Sequence, residues 1–164
     1  MKKNFSHGFT LIEIIVSVSV ILLLSGLFIA GYNRFNDSQK VQQAAATLIR
    51  NLQAARTKAA FGTKPAGCDT LIGYIVKFPN SSTYRAQAVC QVGENLEVTT
   101  YTLPADVTFN PVPGSVTFYA LDRGASVNQT ISLTGFGTTM KVSVFASGVV
   151  SDFVPTPTPP YIPL

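Results

Sequence analysis

The residues able to do chemistry are few. His7 is the only histidine, so an imidazole base for a serine or cysteine nucleophile, and the commonest zinc ligand, would have to come from the first eight residues. Glu94 and Glu97 lie close together near an expected turn, where paired acids are ordinarily solvated charges rather than an acid/base couple. Gly135-Phe136-Gly137 lacks the lysine and helix of a phosphate-binding loop and reads as a strand-connecting turn. No catalytic residue, cofactor or metal site is assigned. Two thiols, Cys68 and Cys90, permit a single disulfide in an exported domain, whereas in a reducing compartment they read as a pair of small buried thiols. If bridged, the loop between them stabilises the fold by about 3 kcal/mol through restriction of the unfolded chain. The remaining candidate is Glu13, a carboxylate at the head of a long apolar run. At the edge of a hydrocarbon layer an unpaired carboxylate costs on the order of 3 kcal/mol, so it needs a partner or must snorkel to the interface.

The elements that must position these groups begin with the apolar run itself. From Ile14 to Asn33 no charged side chain occurs, and that length is what a helix needs to cross a bilayer. A secretory signal would be shorter and would end in a small-x-small site, but Phe28 precedes Ala30 and Ile29 precedes Gly31 at the positions where small residues are required. Charge does not settle topology: Lys2 and Lys3 precede the run, while Arg34 and Lys40 come after it.

No proline occurs before Pro65, and helix-favouring residues fill Gln39 to Ala60, so one helix is expected from Phe9 to about Phe61. Its outer half carries Val41, Ala45, Leu48, Leu52, Ala55 and Ala59 at alternating steps of four and three, a stripe expected to face a sheet rather than a coiled-coil partner. Arg34, Lys40, Arg50, Gln53 and Lys58 are expected on the solvated side.

After Gly62 the sequence turns to β-branched and aromatic residues punctuated by Gly, Pro, Asn and Ser. Strands are expected at Gly73 to Phe78, Thr83 to Val92, Leu96 to Leu103, Ser115 to Leu121, Gln129 to Leu133 and Lys141 to Ala146, paired antiparallel as a meander. Turns are expected at Asn80-Ser81-Ser82 and Gly93-Glu94-Asn95. Phe109, Phe118, Tyr119, Phe136 and Phe145 are expected to pack the sheet. Pro104, Pro111 and Pro113 mark a loop or an edge, and the segment from Pro155 to Pro160 is expected as an extended tail outside any ladder.

The expected fold class is therefore α+β, a long N-terminal helix packed on an antiparallel β-rich head. The division is 1–8 leader, 9–32 membrane part of the helix, 33–62 amphipathic part, 63–154 head and 155–164 Pro-rich tail. Hydrophobic residues make up 46% of the chain, too many for a disordered protein. The formal charge of +4 is spread thinly, with no dense basic run, which argues against nucleic acid as a partner.

The start of the chain, Gly8-Phe9-Thr10-Leu11-Ile12-Glu13 after a short basic stretch and before the apolar run, resembles the prepilin signature of type IV pilin-like proteins. The resemblance implies cleavage between Gly8 and Phe9 by a membrane-embedded prepilin peptidase, N-methylation of Phe9, and assembly with other pilin or pseudopilin subunits on an inner-membrane platform. A glycine at the cut lets the backbone enter a narrow protease site. Cleavage creates an α-amine on Phe9, about 6 Å along the helix from Glu13. In the family that amine and this carboxylate are thought to pair between neighbouring subunits. His7 leaves with the leader.

The stretch Leu52-Gln53-Ala54-Ala55-Arg56-Thr57-Lys58-Ala59-Ala60 ahead of an early strand looks like GspH/FimT-like minor pilins and pseudopilins. The resemblance implies a structural subunit of a type IV pilus or type II secretion pseudopilus, anchored in membrane lipid with its head outside the cytoplasm before assembly. A DNA- or surface-binding tip subunit and a membrane-tethered non-pilin protein are the alternatives. The region that is basic in DNA-capturing members of that group reads Ser147-Gly148-Val149-Val150-Ser151-Asp152 here, without arginine.

Overall fold

The computed structural model describes residues 10–92 and 96–155, except the side chains of 26–34 and 152–155. The expected turn at Gly93-Glu94-Asn95, the leader, Phe9 and the tail beyond Pro155 lie outside the described residues. One helix, α1, runs over Leu11–Ala60, and the chain divides into two compact units, Met1–Asn36 and Asp37–Leu164.

In the second unit the outer part of α1 packs on two antiparallel sheets. All six residues of the expected stripe are buried, and Ala44 and Ile49 widen it. Sheet A has the order β3-β2-β1-β5, with β1 Leu71–Lys77, β2 Thr83–Cys90, β3 Leu96–Thr102 and β5 Val116–Tyr119. Sheet B has the order β4-β6-β7-β8, with β4 Thr108–Phe109, β6 Gln129–Gly135, β7 Thr138–Val144 and β8 Val150–Pro155. The α+β class and antiparallel pairing stand as expected, but the single meander does not. The Pro104 to Pro113 stretch breaks the chain between sheets, because residues without an N–H cannot extend sheet A through it. Beyond Pro113, β5 returns to pair with β1, and β6, β7 and β8 build the second sheet.

One core joins the inner faces of both sheets to the helix stripe: Tyr74, Val76, Phe118, Ile131, Leu133, Met140, Val142 and Val144 pack with Leu48 and Leu52. A stripe serving two sheets must be wider than one serving a single sheet, which accounts for Ala44 and Ile49. Gly73 permits the close approach of β1 to β5: a Cβ there would lie 2.1 Å from the Phe118 carbonyl oxygen. Asn80 builds the β1–β2 turn, its Oδ1 accepting from the N–H groups of Ser82 at 2.9 Å and Thr83 at 2.8 Å. Phe136 and Gly137, both at positive φ, form the two-residue turn between β6 and β7.

Three aromatic expectations need correction. Phe109 and Phe118 are buried, but Tyr119, Phe136 and Phe145 are 36%, 40% and 46% exposed. Phe136 sits at a turn tip, where its ring lies 4.9 Å from the Lys40 ammonium instead of in the core. Pro155 also departs from expectation by ending β8 opposite Met140. The end of an edge strand tolerates proline because no neighbour awaits its missing N–H.

Cys68 and Cys90 form a disulfide with a Cα–Cα distance of 5.7 Å, tying the loop after α1 to the end of β2.

Candidate functional site

The candidate site is the start of α1, taken from Thr10. The Thr10 carbonyl accepts from the N–H groups of Glu13 at 3.1 Å and Ile14 at 3.3 Å, and its Oγ1 accepts from the Glu13 N–H at 3.3 Å. Thr-x-x-Glu is the spacing of a capping box, which satisfies helix donors that otherwise have no partner. The start of the helix thus holds a local structural device, one that the spacing of Thr10 and Glu13 alone could have shown. The same geometry places the Glu13 carboxylate in the first turn, where the helix dipole favours negative charge.

Beyond Glu13 the helix surface is apolar on every side. Leu11, Ile12, Ile14, Ile15, Val16, Val18, Val20 and the run Ile21 to Leu24 are all exposed, Leu23 by 75%. The serines in this stretch present no free donor, because Ser17, Ser19 and Ser25 turn their hydroxyls back onto the carbonyls of Glu13, Ile15 and Ile21 at 2.7 to 2.8 Å. Among the described residues no hydrogen bond or ion pair reaches the Glu13 carboxylate. An all-round apolar helix is stable only when something apolar covers it. Among the described residues no helix is long and apolar enough to cross a membrane.

Gly8 and Phe9, the expected cleavage and methylation positions, lie outside the described residues.

The head brings together a second group of polar side chains. Lys58 donates to Glu97 Oε1, while the Tyr74 hydroxyl lies 3.0 Å from Glu97 Oε2 and 3.1 Å from the Thr63 carbonyl. Lys58, expected on the solvated side, is therefore ion-paired to β3, and Glu97 is tied to the helix rather than simply solvated. The hydrogen bond from Lys58 holds the Glu97 carboxyl below its ordinary range despite some burial. Burial, the hydrogen bond to Glu97 and its charge push the Tyr74 hydroxyl up to about 12. Lys58 and Glu97 neutralise each other and fasten β3 to the helix, and the neutral Tyr74 hydroxyl ties Glu97 to β1. Asn51 adds a second link, donating to the Tyr84 hydroxyl at 2.7 Å.

Residues 3–29 match a family model described as the prokaryotic N-terminal methylation motif. No curated protein and no solved structure matches the chain.

Proposed function

We propose that this type IV prepilin-like chain is a structural subunit of a type IV pilus or type II secretion pseudopilus, cut by prepilin peptidase between Gly8 and Phe9 and N-methylated at Phe9. It assembles through the first half of α1. The observation that carries the reading is the exposed apolar surface from Leu11 to Leu24, bearing one carboxylate without a described partner. Covering a large aliphatic side chain is worth about 1.5–3 kcal/mol, so the surface seeks lipid before assembly and neighbouring helices after it. The apolar sequence from Ile14 to Tyr32 serves as the anchor in the inner membrane. In the assembled state the freed amine of Phe9 on a neighbouring subunit pairs with Glu13, offsetting the cost of holding a carboxylate in an apolar setting.

A head outside the cytoplasm draws support from the Cys68–Cys90 bridge, since such bonds persist in oxidising compartments. A GspH/FimT-like minor position draws support from the Leu52 to Ala60 sequence, and a subunit count in purified filaments tests it.

Exchanging Gly8 for valine tests the reading as a whole. The variant should keep its leader and be missing from filaments; unchanged processing and incorporation would sink the proposal. Glu13→Ala separates the two steps, since it should still be cleaved but enter filaments poorly.

A further inference from the structure

Two stretches of the head carry the pattern Asn-x-Ser/Thr, Asn80-Ser81-Ser82 and Asn128-Gln129-Thr130, in which a sugar can be attached to the asparagine nitrogen. A pattern of three residues recurs by chance, so its surroundings decide whether it can serve. The two stretches differ in those surroundings.

Asn80 lies between β1 and β2, and Pro79, Asn80 and Ser81 are all exposed. Its Oδ1 accepts from the N–H groups of Ser82 at 2.9 Å and Thr83 at 2.8 Å, and lies 3.2 Å from Ser82 Oγ and 2.9 Å from Thr83 Oγ1. Backbone N–H groups only donate, so the atom they meet is the oxygen and the other end of the carboxamide is the nitrogen. Among the described residues no hydrogen bond occupies Asn80 Nδ2. The turn is also held from behind, the Ser81 carbonyl accepting from the Phe109 N–H at 2.7 Å and the Ser82 carbonyl from the Leu103 N–H at 2.8 Å. The oxygen therefore builds the turn, and a substituent on the nitrogen would remove none of its bonds.

The second stretch is engaged elsewhere. Gln129 and Thr130 already belong to β6, opposite Val144 and Ser143. Thr130 Oγ1 lies 3.3 Å from Ser143 Oγ, so the hydroxyl that the pattern requires meets β7 instead of the asparagine. Asn128 Oδ1 accepts from the Ala146 N–H at 2.6 Å, which binds it to the segment after β7.

We propose that Asn80 is N-glycosylated on Nδ2 and that Asn128 is not. The donor class is a lipid-linked glycosyl diphosphate, used by a membrane-bound transferase outside the cytoplasm. Nδ2 attacks the anomeric carbon; a C–N bond forms while the C–O bond to phosphate breaks, its electron pair leaving with the diphosphate. One Nδ2 proton passes to a base of the transferase. A carboxamide nitrogen is a poor nucleophile because its lone pair is delocalised into the carbonyl. Donors to Oδ1 stabilise the anion left as the proton departs, so the contacts that Ser82 makes to Asn80 activate the nitrogen as well as shape the turn. The inference rests on one part of the proposed function, a head outside the cytoplasm, and is independent of how the chain assembles.

The test uses full-length protein isolated from the membranes of its own host and the peptide Phe78 to Arg85 that trypsin releases after Lys77. Fragmentation that leaves sugars attached reads the site. The peptide should be heavier by at least one sugar residue, carried on Asn80. Ser82→Ala deletes the hydroxyl of the pattern but keeps both backbone donors of the turn; it should abolish the added mass while the Cys68–Cys90 bridge stays intact. Ser82→Thr should retain the sugar, and Asn128→Gln should leave the added mass unchanged. A bare Asn80, a sugar on a hydroxyl of the same peptide, a sugar that persists in Ser82→Ala, or a sugar on Asn128 would overturn the inference. The state of the two cysteines separates this failure from that of the export reading: a bare Asn80 with the bridge intact removes glycosylation alone, whereas a bare Asn80 with free thiols removes both.

Discussion

The two halves of α1 solve opposite problems with the same backbone. From Asp37 to Ala60 the large aliphatic residues gather on one side and are buried, Leu48 and Leu52 completely. From Leu11 to Leu24 they occupy every side and all are exposed. The outer half carries its partner in the same chain, in the form of two sheets. The inner half has no such partner among the described residues, and its requirement for cover is what the proposed assembly would meet. Polar groups divide in the same way: Asn51 and Lys58 bond to strands, whereas Ser17, Ser19 and Ser25 bond only to their own helix.

Matched truncations should expose this difference most strongly. Leu52→Ala should lower head stability by about 2–5 kcal/mol because it leaves a cavity in a closed core. Leu23→Ala should leave the thermal unfolding of the head within about 0.5 kcal/mol of the parent while reducing incorporation into filaments. Equal losses of head stability from both would erase the distinction. Next in size, Cys68→Ser should cost about 3 kcal/mol by freeing the loop between the cysteines, measured by denaturant unfolding, with no effect on leader removal.

A smaller effect is expected at the cap. Thr10→Ala should destabilise the first turn by about 1 kcal/mol, seen as faster amide exchange near Glu13, and should not change head unfolding.

The smallest effect concerns pH. Glu97 has a lowered folded pKa, so its contribution is fully present above its unfolded value of 4.5 and is lost as pH falls through the lower folded value. Tyr74 is raised, so its contribution is complete below 10 and is lost as pH rises through about 12. Glu97→Gln should flatten the acid limb of a melting-temperature profile and weaken the alkaline one, since part of the Tyr74 shift comes from Glu97.

Much of this organisation is legible in the sequence because it depends on periodicity. The stripe from Val41 to Ala59 repeats at helical spacing, and each of its six residues is buried. Six expected strands coincide in large part with β1, β2, β3, β5, β6 and β7. The features that escape a sequence reading depend on distant neighbours. The division into two sheets is decided by which strand β5 meets, and β4, with two residues, carries no periodic signal. Lys58 and Glu97 are 39 residues apart, so nothing local shows that they pair. At the candidate site, Glu13 stands out as a charge out of place, and the Thr10-x-x-Glu13 spacing carries a capping signal that the bonds of the first turn bear out.

The most direct test of the central claim is the mass of the N-terminal peptide of the mature protein isolated from membranes. The expected peptide begins at Phe9 and is one methyl group heavier than its unmodified sequence. A peptide that retains Lys2 to Gly8 would contradict the claim.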